Sequence, residues 1–123
     1  MIKKSDEKLK ILRPTLKMKK RFVKVKIHSS KKFKFEEVSK FLSKELIFYI
    51  GSIDYSKAGI WFLKDKFNFS RQEFVLKTQV SYKDKLIAAL LLISKLDKTE
   101  TRFEVIRVSG TLKGLEKENK NND

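Results

Sequence analysis

The 123-residue chain has no cysteine, one proline, one histidine and four glycines. Without cysteine there are no disulfides and no zinc–thiolate centres. A reducing compartment suits such a chain, and a cytoplasmic location is expected. Gly51, Gly59, Gly110 and Gly114 stand alone, so no glycine-rich phosphate cradle is present. The longest apolar run, Leu86 to Ile93, is eight residues, against about 20 for a membrane-spanning helix. The N-terminus mixes charged and apolar residues, so no secretory leader is expected. Acids are also scarce, with 15 Asp and Glu against 30 Lys and Arg. Those present, such as Asp54, Asp65, Asp84 and Asp97, are scattered through different predicted elements. No Asp-x-Asp, His-x-Glu or Glu-x-x-His spacing marks a metal site, so no metal ligand is assigned. His28, alone, reads as a strand-edge residue and not a general base, which would need a positioned partner. No catalytic residue is assigned on this reading.

What the chain has in excess is positive charge, +15 overall, unevenly placed. Residues 1–34 carry twelve Lys and two Arg against Asp6 and Glu7, which accounts for +12 of the total. Packing that charge into a quarter of the length points to an anion-binding arm. Nucleic acid is the favoured partner. A merely solvated tail and an anionic membrane surface are the alternatives. The membrane reading is the weaker, because no long amphipathic helix accompanies the basic stretch.

At 41% apolar residues, the chain supports one core and one domain. Residues 1–20 read as a basic arm, with Pro14 excluding helix around Arg13. Arg21, Val23, Val25 and Ile27 alternate with Phe22, Lys24, Lys26 and His28, a strand period. Phe35, Val38, Phe41, Leu42, Leu46 and Tyr49 recur at helical spacing, predicting a helix over 35–50 ended by Gly51. Strands are predicted over Gly59–Lys64, Glu73–Gln79 and Arg102–Val108. A second helix is predicted over Tyr82–Leu96, opened by a Ser81/Asp84 capping box and packed deeply through Ile87–Leu91. Residues 114–123 read as a polar, disordered tail. The order β-α-β-β-α-β predicts an α+β, ferredoxin-like or RRM-like two-layer sandwich spanning residues 21–113. Two helices would cover one sheet face and leave the other available.

On that face Phe22 lies among cations, as in an RNA platform that combines phosphate attraction with stacking. Cover by another element or a protein is the equal alternative. Arg71 to Leu76 has one aromatic, unlike an RNP1 strand, so contact with phosphates and shape is expected. Strand aromatics bury well, so Trp61 and Phe62 are expected in the core, with an interface hot spot as the alternative.

Four stretches, in order, resemble the protein component 2 family of archaeal ribonuclease P. They are Leu12-Arg13-Pro14-Thr15-Leu16 with Lys19-Lys20-Arg21-Phe22, then Ser56 to Leu63, then Tyr82 to Leu86 with Ala88-Ala89-Leu90, and finally Val108 to Lys113. Arg13 stands where the family has proline, Phe22 where it has tyrosine, and Phe74 to Lys77 departs from its usual strand. The resemblance implies a non-catalytic subunit of an endoribonuclease whose RNA removes the 5′ leader of precursor tRNA with Mg2+. It implies the ribonuclease P RNA as partner, precursor tRNA indirectly, and a barrel-type protein subunit, component 3. Self-association, as a homodimer within a heterotetramer, stays open. No cofactor is expected on the protein itself. The RNA-binding residues expected are Arg13, Lys17, Lys19, Lys20, Arg21, Phe22, Lys24, Lys26 and Lys113. A ribosome-associated RNA binder of the same fold and a stand-alone nuclease are the competing readings.

Overall fold

The computed structural model describes residues 19–115. Strand β1 runs Lys20–Ser29, helix α1 Phe35–Ile50, helix α2 Ser52–Ala58 and strand β2 Trp61–Phe62. A single 3-10 turn at Lys64–Lys66 leads towards β3 at Glu73–Gln79. A second 3-10 turn, Val80–Tyr82, opens α3 at Lys83–Leu92, and β4 Lys95–Leu96 and β5 Thr99–Ser109 follow. Residues 112–115 make one further helical turn. The fold is α+β. The five strands lie in the order β2-β3-β1-β5-β4, and every adjacent pair is antiparallel.

The period of two in β1 sends Val23, Val25 and Ile27 into the core. Phe74 and Leu76 of β3 and Phe103 of β5 join them, with Phe74 and Phe103 edge to face at 6.2 Å. Against this face α1 buries Val38, Leu42 and Leu46, and α3 buries Leu86, Ala89 and Leu90. Helix α1 starts where Glu37 Oε1 accepts the Lys34 backbone N–H at 2.9 Å. That bond holds the Glu37 carboxyl below its ordinary pKa. The helix ends at Gly51, whose φ of 96° turns the chain straight into α2.

Four boundaries differ from those expected. Between Gly51 and Gly59 the chain forms a helix, and β2 shrinks to two residues at the sheet edge, so Gly59 and Ile60 are not strand. The Ser81/Asp84 capping box does not form. Ser81 lies inside the 3-10 turn, Tyr82 is the N-cap, and no side chain caps α3. The chain is held there instead by the Val80 N–H on the Lys19 carbonyl at 2.8 Å. Helix α3 stops at Leu92, because Ile93 is extended. Lys95 and Leu96 then pair with Glu100 and Thr99 across a two-residue turn. Asp97 and Lys98 both have positive φ, as a tight type I′ hairpin requires. Last, the ordered chain reaches beyond Lys113. Leu115, expected in a polar tail, is 3% exposed.

Two packing expectations also change. Helix α3 is apolar all round but buries one face only, leaving Leu91 and Leu92 exposed. Phe62 packs against the core, whereas its neighbour Trp61 points outward and is 64% exposed. Alternation along a strand forces this opposition.

Candidate nucleic-acid interface

The sheet face away from the helices carries Phe22, Lys24, Lys26 and His28 of β1. Their register partners are Lys77, Val75 and Glu73 on β3, and Ser109, Arg107, Glu104 and Arg102 on β5. A bulge at Lys24/Val25 leaves Ile106 as the extra residue on β5 and keeps Arg107 opposite Lys24.

Much of this face is already engaged by the protein. Lys24 Nζ stands 3.7 Å from Glu73 Oε1, with both side chains 15% exposed. Lys26 Nζ donates to the Arg71 carbonyl at 2.9 Å. His28 Nε2 meets Glu104 Oε1 at 2.7 Å, and that bond holds the Glu104 carboxyl below its ordinary pKa. The turn at 112–115 folds back over the same face. Arg107 Nε donates to the Gly114 carbonyl at 3.1 Å, and Leu112 and Leu115 line a cleft there with Lys24 and Val75. A Cβ on Gly114 would collide with the Ser109 hydroxyl, so glycine is what lets the turn close.

Exposed cations gather at one end of the sheet, with Arg102 also exposed at the opposite end. Lys19 and Lys20 are exposed at the start of β1. Arg21 packs its guanidinium against Gly110, just past the end of β5, and donates to the Lys20 carbonyl at 2.9 Å. Lys113 is exposed on the turn that follows. The antiparallel register creates this cluster, since the start of β1 pairs with the ends of both β3 and β5. Lys19, Lys20, Arg21, Phe22 and Lys113 therefore share one end. Lys24 and Lys26 lie further along the face in intramolecular contacts. Arg13 and Lys17 lie outside the described residues.

Three of the four family-like stretches meet around this end. A Cβ on Gly59, just before β2, would stand 3.5 Å from the Gln79 side chain, and Gly110 of the fourth stretch lies against Arg21 of the first. The sequence model of the Rpp14/Pop5 family matches residues 14–120. The chain belongs to the Rpp14/Pop5 family. Among relatives in this family, ribonuclease P protein component 2 of Methanocaldococcus jannaschii is 33% identical over 107 residues, 87% of this chain and 77% of that protein. The protein of the same name from Thermococcus gammatolerans is 28% identical over 90% of this chain and 91% of its own length. The one from Pyrococcus furiosus is 28% identical over 91% of this chain and 92% of its own. One chain in a cryo-EM structure of yeast ribonuclease MRP superposes with a TM-score of 0.61. It covers 85% of this chain and 94% of the yeast chain at 12% identity, a likeness of fold.

Sequence reasoning misses several residues that shape this interface. Trp61, expected inside, is outside. Lys77 sits between Trp61 and Phe22 in register, a juxtaposition that only strand pairing reveals. Among the described residues, no three His, Cys, Asp or Glu side chains stand together as metal ligands would. No described helix is long and apolar enough to cross a membrane.

Proposed function

We propose that this chain is a protein subunit of ribonuclease P, binding the catalytic RNA and activating it for removal of the 5′ leader from precursor tRNA. Membership of the Rpp14/Pop5 family over almost the whole chain is the observation that carries this reading. The exposed cations at the Lys20 end supply the physical means. Lys19, Lys20 and Lys113, continued by Arg13 and Lys17 of the arm, neutralise closely spaced RNA phosphates. Arg21 and Phe22 border the same contact. Each neutralised phosphate releases condensed counterions. In this reading the protein lowers the electrostatic cost of folding the RNA and contributes no acid, base or nucleophile. Magnesium is held by the RNA, and no protein residue is assigned to it.

The two helices on one face of a sheet ordered β2-β3-β1-β5 support a ferredoxin-like, split βαβ arrangement, with β4 as an added edge hairpin. A barrel-type protein subunit completes the particle in this reading. Apolar side chains left exposed on the helices, Phe48 at 78% with Ile53, Leu91 and Leu92, support a protein contact. The cytoplasm is the expected location.

The test is precursor-tRNA cleavage by a cognate ribonuclease P RNA at low magnesium, with and without this chain and its protein partner. Cleavage that appears only with both proteins supports the reading. RNA binding with no change in cleavage would make the chain a general structural RNA binder instead.

A further inference from the structure

Sequence and sheet geometry together leave one aromatic group facing solvent in a basic setting. Trp61 is the chain's single tryptophan, and it sits on the two-residue edge strand. Its register partner is Lys77, and the partner of Lys77 on the next strand is Phe22. The outward row across the sheet therefore reads indole, ammonium, phenyl. Beside the indole, along the β2 edge, lies a cleft of about 400 Å³ whose walls include Phe35, Phe62 and Leu112. Its rim carries Lys64 and Lys66 against one acid, Asp65. The Lys64 ammonium stands 3.9 Å from Glu36, and both side chains are 72% exposed. Water competes strongly for such a pair, so Lys64 can exchange Glu36 for another anion at little cost.

We propose that the Trp61 cleft at the β2 edge is a stacking site for one unpaired nucleotide of RNA, whose base lies on the indole and whose flanking phosphates meet Lys64 and Lys77. That RNA is the occupant rests on the function proposed above. The cleft volume falls in the range of small-molecule sites, roughly 300–1,000 Å³. Trp61 leaves 64% of its surface exposed, and a base offers the indole a flat apolar face. The base must be unpaired, because a duplex keeps its base faces stacked inside. Charge favours nucleic acid over protein here. The exposed side chains of Phe48, Ile53 and Leu91 suit a protein contact, whereas Trp61 is bordered by ammonium groups. The centre of the sheet is the usual place for stacked bases in this kind of fold. In this chain it is occupied by the Leu112–Leu115 turn and by internal ion pairs. Recognition is thereby displaced to the edge.

The single tryptophan makes its own probe. The full chain is titrated with a short single-stranded oligoadenylate and, separately, with a fully paired RNA duplex, following indole fluorescence and the anisotropy of labelled RNA. Indole quenching by the single strand and not by the duplex is expected. Trp61→Ala and Trp61→Leu should each weaken single-strand binding by roughly five- to 150-fold, the worth of one stacked base. Trp61→Phe should keep most of the affinity, which separates stacking from bulk. Circular dichroism confirms that each variant is folded. Lys64→Ala or Lys77→Ala should lower the log–log salt slope by about 0.7 apiece while leaving the quenching amplitude at saturation. If Trp61→Ala and Trp61→Leu bind the single strand as the parent does, the proposal is wrong although the ribonuclease P reading survives. It is equally wrong if these variants are impaired only in binding a protein subunit. If the parent chain leaves the single strand unbound, the proposal is wrong, and the ribonuclease P reading stands or falls separately on the cleavage test.

Discussion

Gln72 shows how much one polar side chain organises. It is buried, sits at φ 54°, and its amide brackets Phe33: Oε1 accepts the Phe33 N–H at 2.8 Å and Nε2 donates to the Phe33 carbonyl at 3.1 Å. Nε2 also donates to the Phe69 carbonyl at 2.8 Å. One side chain therefore satisfies the backbone between β1 and α1, a stretch with no secondary structure of its own, and pins it to the turn before β3. Gln72→Ala should cost roughly 1–3 kcal/mol for each backbone group left buried and unpaired. Gln72→Glu should cost at least as much, since a carboxylate would face two carbonyl oxygens. Chemical denaturation of both variants checks this. Phe103→Ala provides the apolar counterpart. It removes an edge-to-face partner of Phe74 from the sealed core and should cost about 3–5 kcal/mol by the same measurement.

At the level of elements, two contacts hold peripheral pieces in place. Lys85 Nζ of α3 meets Asp54 Oδ2 of α2 at 2.8 Å. The hydrogen bond and the opposite charge lower the Asp54 pKa and raise that of Lys85. Because the Asp54 value is depressed in the folded chain, its contribution is present above the ordinary carboxylate range. It is lost as pH falls through the depressed value. Because the Lys85 value is raised, its contribution is present below the ordinary lysine range and lost as pH rises through the raised value. The pin thus acts across the neutral range and fails at both extremes. Lys85→Met should raise the Asp54 pKa back towards the ordinary carboxylate value, read by NMR titration of its side-chain carboxyl. The second contact is the turn at 112–115, closed by the Gly114 N–H on Thr111 Oγ1 at 3.0 Å and seated by Leu115. Gly114→Ala should unseat the turn through its clash with Ser109. Amide exchange should then rise at Gly114 and Leu115, while the core strands stay protected.

Across the whole molecule, the proposed function makes charge the means by which the chain would meet RNA. The whole chain carries +15, and the central sheet cations Lys24 and Lys26 are already partnered within the domain, so affinity should come from the arm and the Lys20 end. Replacing Lys17, Lys19 and Lys20 together by Ala should reduce the salt slope of ribonuclease P RNA binding by roughly 0.7–0.9 for each phosphate no longer neutralised. It should also raise the magnesium needed for cleavage. Replacing Lys24 and Lys26 should change stability more than RNA affinity, because their partners Glu73 and the Arg71 carbonyl are within the domain. RNA binding measured over a range of salt, beside denaturation of the same variants, separates the two effects.

Local periodicity alone determined the parts of the molecule whose neighbours are near in sequence or whose faces differ sharply. The apolar repeat from Phe35 to Tyr49 predicts α1 with its observed ends, and the third strand lies at Glu73–Gln79 as read. The alternation of Val23, Val25 and Ile27 assigns the buried face of β1 before any partner is known. The clustering of lysines, too, is visible without a fold. Tertiary structure decided what depends on pairing. Gly59–Lys64 is apolar on both faces, so periodicity could not distinguish its inner residue Phe62 from its outer residue Trp61; the β3 register did. The apolar run Leu86–Ile93 reads as one deep helix, yet the helix breaks for the Asp97–Lys98 hairpin, a turn without glycine that composition conceals. Leu115 looks like the edge of a polar tail until the outward face, with Arg107 and Val75 upon it, offers it a seat. Which lysines stay exposed is likewise a property of the sheet. Lys24 and Lys20 are alike in sequence, and they differ because strand register sets Lys24 beside Glu73 and leaves Lys20 at the open end.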